Sequence, residues 1–171
     1  MGIANEIEFE NDICAHLAAN GWLYSPNDTG YDRELALFPE DATAWICDTQ
    51  PASWQRLQTF YGSTTETEYF NRMVKVLATD GTLRVLRNGL KVTGAGSTSF
   101  DVVQFKPSFG FNQEIAEKYN RVRLRVMRQV RYSASNQKSI DLVLFANGVP
   151  VSTIEVKTDF TQAVEIGRAH V

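Results

Sequence analysis

The chain has 171 residues, of which 43% are apolar and 22% charged, and its formal net charge is −3. This length and composition suit one globular domain with a sizeable core. No apolar run approaches the roughly 20 residues of a membrane-spanning helix, and the acidic N-terminus lacks the basic and apolar parts of a secretory signal. We therefore expect a cytoplasmic protein with no membrane partner, in which Cys14 and Cys47 are buried and reduced. The two cysteines and two histidines have no zinc-site spacing.

Helical patterns dominate the first half of the sequence. Apolar residues recur at helical spacing over residues 5–19, where Asn5 is a candidate cap and acids lie in the first turn. Residues 24–31 predict a polar loop, because they are rich in Pro, Asn, Asp and Gly. Further helices are predicted at residues 38–47, 51–61 and 66–77, and Pro51 lies in the first turn of its helix.

Strand patterns dominate the second half. Alternating or continuous apolar runs predict strands at residues 85–91, 100–106, 121–132, 140–145 and 149–157. The dipeptides Asn88-Gly89 and Asn147-Gly148 are hairpin signals. Helices followed by strands indicate an α/β (mixed α+β) fold, with a central mixed β-sheet flanked by helices.

Charge is sorted along the chain. The first 50 residues contain ten acids and one base, whereas residues 118–140 contain seven bases and no acid. Arg121, Arg123 and Arg125 alternate with aliphatic residues, so the three guanidiniums share one face of a strand. We predict a DNA-phosphate surface formed by Arg121, Arg123, Arg125, Arg128 and Arg131. The alternative is a solvated edge strand whose positive charges repel other strands.

Residues 141–157 (DLVLFANGVPVSTIEVK) hold the candidate catalytic group. Asp141 opens one apolar run, and Glu155 and Lys157 point the same way within the next. Two carboxylates beside one ammonium suit Mg²⁺. Waters and substrate phosphates would fill the remaining coordination positions of the metal. The lysine can orient the attacking water and offset phosphate charge, which describes metal-dependent phosphodiester hydrolysis. A charged edge strand without catalysis is the alternative interpretation.

A shared metal site requires a register shift between the two strands that carry these acids. A two-residue turn at Asn147-Gly148 alone would put Asp141 on the face opposite Glu155, because cross-strand partners share a face. We therefore predict a three-residue loop at residues 146–148 with Gly148 at positive φ in a bulge, although a bulge elsewhere in either strand would serve equally well. The two carboxylates should then lie within about 5 Å and share one cation.

A series of short sequence blocks extends through nearly the whole chain, over about residues 5–162. In order they are FENDI (9–13), GW (21–22), YDREL (31–35), TQP (49–51) with Trp54, LRNGLK (86–91), FKP (105–107), RVMRQVRYS (125–133), SIDLVLFANG (139–148) and TIEVK (153–157). Together they resemble the nuclease domain that opens the R (restriction) subunit of type I restriction-modification enzymes, in the PD-(D/E)xK nuclease superfamily.

This resemblance implies a Mg²⁺-dependent DNA endonuclease in which Asp141, Glu155 and Lys157 are catalytic and the two acids bind the metal. It also matches Glu10 to a helix glutamate that faces the catalytic strands, although Glu6, one turn earlier, competes for that position. The implied partners are double-stranded DNA and the methylase and specificity subunits of the type I complex. The sequence contains no Walker-type phosphate loop, so ATP would act only through motor domains outside this chain.

Two other functions fit parts of the sequence. A non-catalytic DNA-binding or docking module would use the arginines alone, but the trio of Asp141, Glu155 and Lys157 is intact. Another nuclease of the superfamily, such as a repair enzyme, would not explain the YDRE block at 31–34.

The last seven residues, 165–171, do not follow the pattern of the rest of the chain. Residues 165–171 (EIGRAHV) depart from the family pattern and can be encoded by GAG ATC GGA AGA GCA CAC GTC, which resembles a common sequencing adapter. We therefore expect a single endonuclease-like domain at 1–164, truncated at its C-terminus, and a non-native tail at 165–171.

Overall fold

A computed structural model of the chain describes residues 2–93, 97–108, 112–131 and 138–157, with side chains from residue 6 onward. The predicted tail at 165–171 lies outside these ranges. The helices are α1 (Gly2–Ala19), α2 (Pro39–Thr49), α3 (Pro51–Tyr61), α4 (Thr65–Asp80), α5 (Thr82–Asn88) and α6 (Gln113–Asn120), with a 3₁₀ turn at Gly62–Thr64. The strands are β1 (Leu23–Ser25), β2 (Leu90–Val92), β3 (Thr98–Phe100), β4 (Leu124–Arg131), β5 (Ser139–Ala146) and β6 (Val149–Ile154).

The larger sheet contains the strands of the candidate site. Its strand order is β1-β4-β5-β6, in which β1 runs parallel to β4 and the other neighbours are antiparallel. Strands β2 and β3 form a separate antiparallel pair. A mixed sheet with helices packed on it confirms the predicted α/β (mixed α+β) class. No helix in the described part of the chain has the length and apolar character to span a membrane.

The helices predicted in the first half are confirmed, with bounds that differ by a few residues. Prolines begin both α2 and α3, because a proline lacks the N–H that a first turn leaves unbonded and its φ suits the helix. Gly81 follows the last residue of α4 with a φ of 82°, a conformation that ends the helix there.

Predictions for the middle of the chain are partly wrong. Residues 85–91 do not form one strand, because α5 continues through Asn88 and β2 begins only at Leu90. Gly89 ends the helix with a φ of 71°, and a Cβ there would lie 2.3 Å from the carbonyl oxygen of Phe100, so Asn88-Gly89 is a helix end and not a hairpin. The strand predicted at 100–106 stops at Phe100. The sequence patterns do not predict β1 or α6.

Apolar side chains alternate between the two faces of the larger sheet. Val126 and Leu142 pack with Cys14 of α1 on one face. Val143 packs with Phe38, the residue that precedes α2, on the other face. A larger cluster joins α2, α3 and α4 to β2 and β3. The sheet is therefore enclosed by α1 on one side and by the start of α2 on the other, and this arrangement fixes the surroundings of the candidate site.

Both cysteines are free thiols. Cys14 is buried, as predicted, and burial raises the pKa of its thiol. Cys47 is exposed, which corrects the prediction that both are buried.

Candidate active site

The β5–β6 hairpin turns at Asn147 and Gly148. Both residues have positive φ, 47° and 79°, and the strands pair directly on either side, so the loop has two residues in a primed-turn conformation. The positive φ predicted at Gly148 is confirmed, whereas the predicted three-residue loop at 146–148 is wrong. The Asn147 side chain holds this tighter turn, because it donates to the Val102 carbonyl oxygen (2.9 Å) and accepts from the backbone N–H of Arg123 (2.8 Å).

A bulge in β6 supplies the register shift instead. Phe145 pairs with Pro150 but Leu144 pairs with Ser152, so Val151 is the extra residue. A proline is tolerated beside such a bulge because the disrupted ladder does not need its missing N–H. The shift thus lies in the strand itself and leaves the turn at its minimal length.

The shifted register aligns the two candidate metal ligands. Leu142 pairs with Ile154, and one further step of the same register places Asp141 opposite Glu155 on one face of the sheet. The predicted strand at 149–157 included Glu155 and Lys157. β6 ends at Ile154, however, so both residues lie just beyond the strand.

Asp141 is tied to the segment that follows β6. Its Oδ2 accepts a hydrogen bond of 2.7 Å from the backbone N–H of Val156. The pKa of the neighbouring Glu155 carboxyl is raised, first by partial burial and then by the charge of Asp141 and a hydrogen bond to it, while the ammonium of Lys157 acts in the opposite direction. The three predicted catalytic side chains therefore influence one another at this end of the sheet.

Glu10 reaches the same region from α1. It is only 2% exposed, and its Oε2 accepts hydrogen bonds from Nε and Nη2 of Arg128 at 3.1 and 3.0 Å. Its charge also acts on Glu155. The guanidinium of Arg128 already offsets the charge of this buried carboxylate. Glu10 is therefore better suited to hold its neighbours in position than to bind a metal.

Gln129 joins Glu10 to Asp141, and no pattern in the sequence singles it out. Its Nε2 donates to Glu10 at 3.2 Å and more weakly to Asp141 at 3.4 Å, while its Oε1 accepts from the Ser139 hydroxyl at 2.7 Å. Its φ is 49°, and its neighbours Arg128 and Val130 pair with Leu142 and Ile140, which places Gln129 opposite Asp141. Strained backbone of this kind costs about 1–3 kcal/mol and concentrates at functional sites. Only the strand register could have identified this residue.

The donor set fits a hard divalent cation. Oδ1 of Asp141 makes a weak contact of 3.4 Å with Gln129, and Glu155 is exposed. A cation between them would remove the like-charge repulsion that contributes to the raised pKa of Glu155. Among the described residues, no group of three or more His, Cys, Asp and Glu side chains is arranged to hold a metal. Mg²⁺ commonly takes one or two carboxylates and keeps several waters, so the pair is sufficient for Mg²⁺.

Arg125, one of the predicted DNA-binding residues, holds α2 to the sheet. Its Nε and Nη2 donate to the two carboxylate oxygens of Asp41 at 2.6 and 2.9 Å, and its Nη1 donates to Ser25 at 2.7 Å. Its guanidinium also lies 4.5 Å from the ring centroid of Phe38. The side chains of Arg125 and Asp41 are only 18% and 5% exposed, so this is a structural ion pair.

Arg121 and Arg123 face the C-terminal end of α2. Arg123 pairs with the carboxylate of Asp48 at 3.0 Å, and Arg121, which precedes β4, donates to the Asp48 carbonyl oxygen at 3.0 Å. Positive charge is favourable at a helix C-terminus. The strand predicted from residue 121 begins only at Leu124, so Arg121 and Arg123 both precede it, and residues of α2 engage these two arginines as well as Arg125.

Arg128 and Arg131 lie nearer the candidate site. Their partners in the β4–β5 register are Leu142 and Ser139, which flank the position of Asp141 on β5. Arg131 is exposed, and the Arg128 side chain is 19% exposed while it pairs with Glu10. Of the five predicted DNA-binding arginines, these two remain beside the carboxylates.

The comparisons with known proteins identify a family for the chain. The family model described as the type I restriction enzyme R protein N terminus matches residues 3–170, nearly the whole chain. No match was found among curated proteins or among solved structures. Because the family model covers well over half of the sequence, the chain belongs to the family of type I restriction enzyme R protein N-termini.

Proposed function

We propose that this chain is the metal-dependent DNA endonuclease domain of a type I restriction enzyme R subunit. The observation that carries the proposal is the alignment of Asp141 with Glu155, next to Lys157, by a bulge whose effect is to put the two acids on one face. A packed hairpin gains no stability from two acids in contact, because like charges on opposed positions are unfavourable. A site that binds a cation explains the arrangement.

The residues divide the chemistry among them. Asp141 and Glu155 would hold Mg²⁺, which supplies an activated water and stabilises charge on the phosphoryl oxygens when it is bound. The hydrogen bond from Val156 to Oδ2 of Asp141 fixes the orientation of that carboxylate. Lys157 orients the attacking water and offsets charge on the phosphate. Glu10 positions Arg128 and Gln129, and Gln129 in turn contacts Asp141.

The partners follow from the family and the charge distribution. Double-stranded DNA would approach the side of the sheet where Arg128 and Arg131 lie, and contacts to its phosphates would be independent of sequence. Recognition would belong to the methylase and specificity subunits of the complex. ATP would act through motor domains outside this chain. In this proposal Arg121, Arg123 and Arg125 serve the fold and no longer belong to the DNA surface, because α2 engages them.

The test is the variant Asp141→Ala in the full-length enzyme with its partner subunits. We expect DNA cleavage to fall by at least about 10³-fold, because loss of a metal ligand removes several kcal/mol of stabilisation, while ATP hydrolysis stays intact. Asp80→Ala, which removes an exposed carboxylate at the end of α4, is the matched control and should cleave normally. Normal cleavage by Asp141→Ala would show that this carboxylate is not catalytic. It would then favour a non-catalytic DNA-binding module as the function of this chain.

Lys157 separates catalysis from metal binding. Lys157→Ala should abolish cleavage but keep the affinity for Mg²⁺, because the ammonium is not a metal ligand. Lys157→Arg should also cleave poorly, since a planar guanidinium does not reproduce the geometry of a compact ammonium. Full activity of both variants would restrict the catalytic group to the two carboxylates.

A further inference from the structure

We propose that a polar cavity next to the candidate active site seats one backbone phosphate of the DNA, flanking the phosphodiester that is cut. The cavity has a volume of about 300 Å³ and opens between the loop after β1 and the paired ends of β4 and β5. Arg33 and Arg131 are its phosphate-binding residues. This inference rests on the proposed nuclease function and adds to it a defined subsite and one residue, Arg33, that the sequence patterns do not single out.

The position of the cavity follows from strand geometry. β1 pairs with β4 only as far as Ser25 and Met127, so the edge of β4 beyond Met127 has no β1 partner. Residues 127, 128, 129, 131 and 139 line the cavity along this edge. Ser139 donates to Gln129, and Gln129 contacts Asp141, so the cavity adjoins the candidate site.

The charge of the cavity suits a single phosphodiester. Three guanidiniums, of Arg33, Arg128 and Arg131, line or adjoin it together with the carboxylate of Asp28, and Glu10 lies behind Arg128. Three positive and two negative charges leave one positive charge in excess, which matches one phosphodiester. Guanidinium forks bind phosphate oxygens through paired N–H groups, and such contacts are independent of sequence.

Arg33 and Arg131 both act electrostatically on the carboxylate of Asp28. The pKa of its carboxyl is lowered, first by a hydrogen bond from Arg33 and then by further contributions that include the charge of Arg131. The Arg33 and Asp28 side chains are 38% and 49% exposed, so their ion pair is in contact with solvent. An exposed pair of this kind contributes little to stability, and a phosphate can displace or share it.

Gln129 connects the cavity to the catalytic acids. Its side chain lines the cavity, accepts from Ser139, and donates to Asp141 and Glu10. A phosphate seated on Arg33 and Arg131 would thus lie against the group that contacts Asp141. We therefore expect loss of the subsite to raise the KM for DNA more than it lowers kcat.

The test is the salt dependence of duplex DNA binding by the full chain, measured by fluorescence anisotropy with EDTA present so that no cleavage occurs. Each phosphate contact contributes about 0.9 to the slope of log K against log salt concentration. Because Arg33 and Arg131 share one phosphate, the double variant should lose about 0.9, and neither Arg33→Ala nor Arg131→Ala alone should lose more than that. Lysine at either position should keep the slope while weakening binding. Glutamine, which also removes the charge, replaces alanine if an alanine variant does not fold.

The matched control removes two positive charges from a different basic cavity. Lys75→Ala with Lys91→Ala changes the net charge by the same amount, at the cavity between α4, α5 and β2, and should leave the slope unchanged. An unchanged slope in the Arg33, Arg131 double variant would overturn the subsite, and so would a loss of about 1.8 in it or an equal loss in the lysine control.

Two further measurements distinguish a DNA subsite from a site for a free phosphate ligand and from the catalytic site itself. Saturable binding of inorganic phosphate or ATP to the same arginines, with no effect on DNA binding, would assign the cavity to a free phosphate ligand and overturn the DNA assignment. Asp141→Ala should keep the full slope while it loses cleavage. Failure of the arginine variants therefore contradicts the subsite alone, and failure of Asp141→Ala to stop cleavage contradicts the nuclease function alone.

Discussion

The Oδ2 oxygen of Asp141 and the backbone N–H of Val156 form a hydrogen bond of 2.7 Å, in the segment where β6 has just ended. This bond holds the segment that carries Glu155 and Lys157 against the start of β5. The bulge at Val151 brings the strands into the register that permits it. One backbone contact thus joins the three residues that we propose as the catalytic group.

The first prediction concerns Glu155→Gln without metal. The folded state raises the pKa of Glu155, so ionisation of this residue disfavours the fold. The stability that the neutral Glu155 carboxyl contributes to the fold is fully present below the pKa of the unfolded chain. It is lost as the pH rises through the raised pKa of the folded state. We therefore expect Glu155→Gln to melt at a higher temperature than the natural chain at neutral pH in EDTA, with the difference vanishing at acidic pH. Thermal unfolding as a function of pH measures this.

Two controls accompany that measurement. Glu34→Gln, which removes an exposed glutamate elsewhere, is the control for the loss of one carboxylate. Addition of Mg²⁺ should stabilise the natural chain but not Glu155→Gln, because a ligand that binds only the folded state stabilises it. A Glu155→Gln variant that melts lower than the natural chain at neutral pH in EDTA would contradict the repulsion between the two acids.

The second prediction separates structural arginines from surface arginines. Arg125→Ala leaves the buried carboxylate of Asp41 without its bidentate partner, so it should lower the free energy of unfolding by about 3–5 kcal/mol. Arg123→Ala breaks a pair whose side chains are 36% and 45% exposed and should lower it by less than about 1 kcal/mol. Urea unfolding measures both. Equal losses in the two variants would contradict the assignment of Arg125 to the core of the fold.

Sequence patterns predicted the β5–β6 hairpin better than the basic surface, because the residues of the hairpin are close along the chain and the contacts of the arginines are not. The need for a bulge between Asp141 and Glu155 follows from alternation within one hairpin, which is local. Arg125 meets Asp41, 84 residues away, and no periodicity in β4 reveals that α2 covers its arginine face. Gln129 was missed for the same reason, since its role depends on contacts with α1 and β5.

The errors in the middle of the chain have a local physical cause. The apolar residues in 85–91 belong to two elements, because α5 ends and β2 begins within this range. The Asn-Gly dipeptide at 88–89 supplies positive φ, which both a hairpin turn and a helix end require. At 147–148 the same dipeptide does form the turn, because its strands pair with each other. The dipeptide alone does not distinguish the two cases.

The third prediction concerns the turn of the hairpin. In Gly148→Ala the new Cβ would lie 2.1 Å from the carbonyl oxygen of Phe38, and the φ of 79° would be strained. We expect a loss of unfolding free energy above the roughly 1–2 kcal/mol of left-handed strain alone. Gly21→Ala is the matched control, because Gly21 ends α1 with a φ of 88° and nothing lies within 4 Å of its new Cβ. Equal losses for the two variants would show that the contact between the turn and the start of α2 contributes nothing.

The metal site is tested most directly by a calorimetric titration of Mg²⁺ or Mn²⁺ into the natural chain, Asp141→Asn, Glu155→Gln and the control Asp80→Asn. We expect binding by the natural chain and the control. We expect a loss of at least about tenfold in each of the other two, because even groups outside the coordination shell contribute that much. As the pH falls toward the raised pKa of Glu155, metal binding should release a proton from that carboxyl. Equal cation affinity in all four proteins would contradict a metal site formed by Asp141 and Glu155.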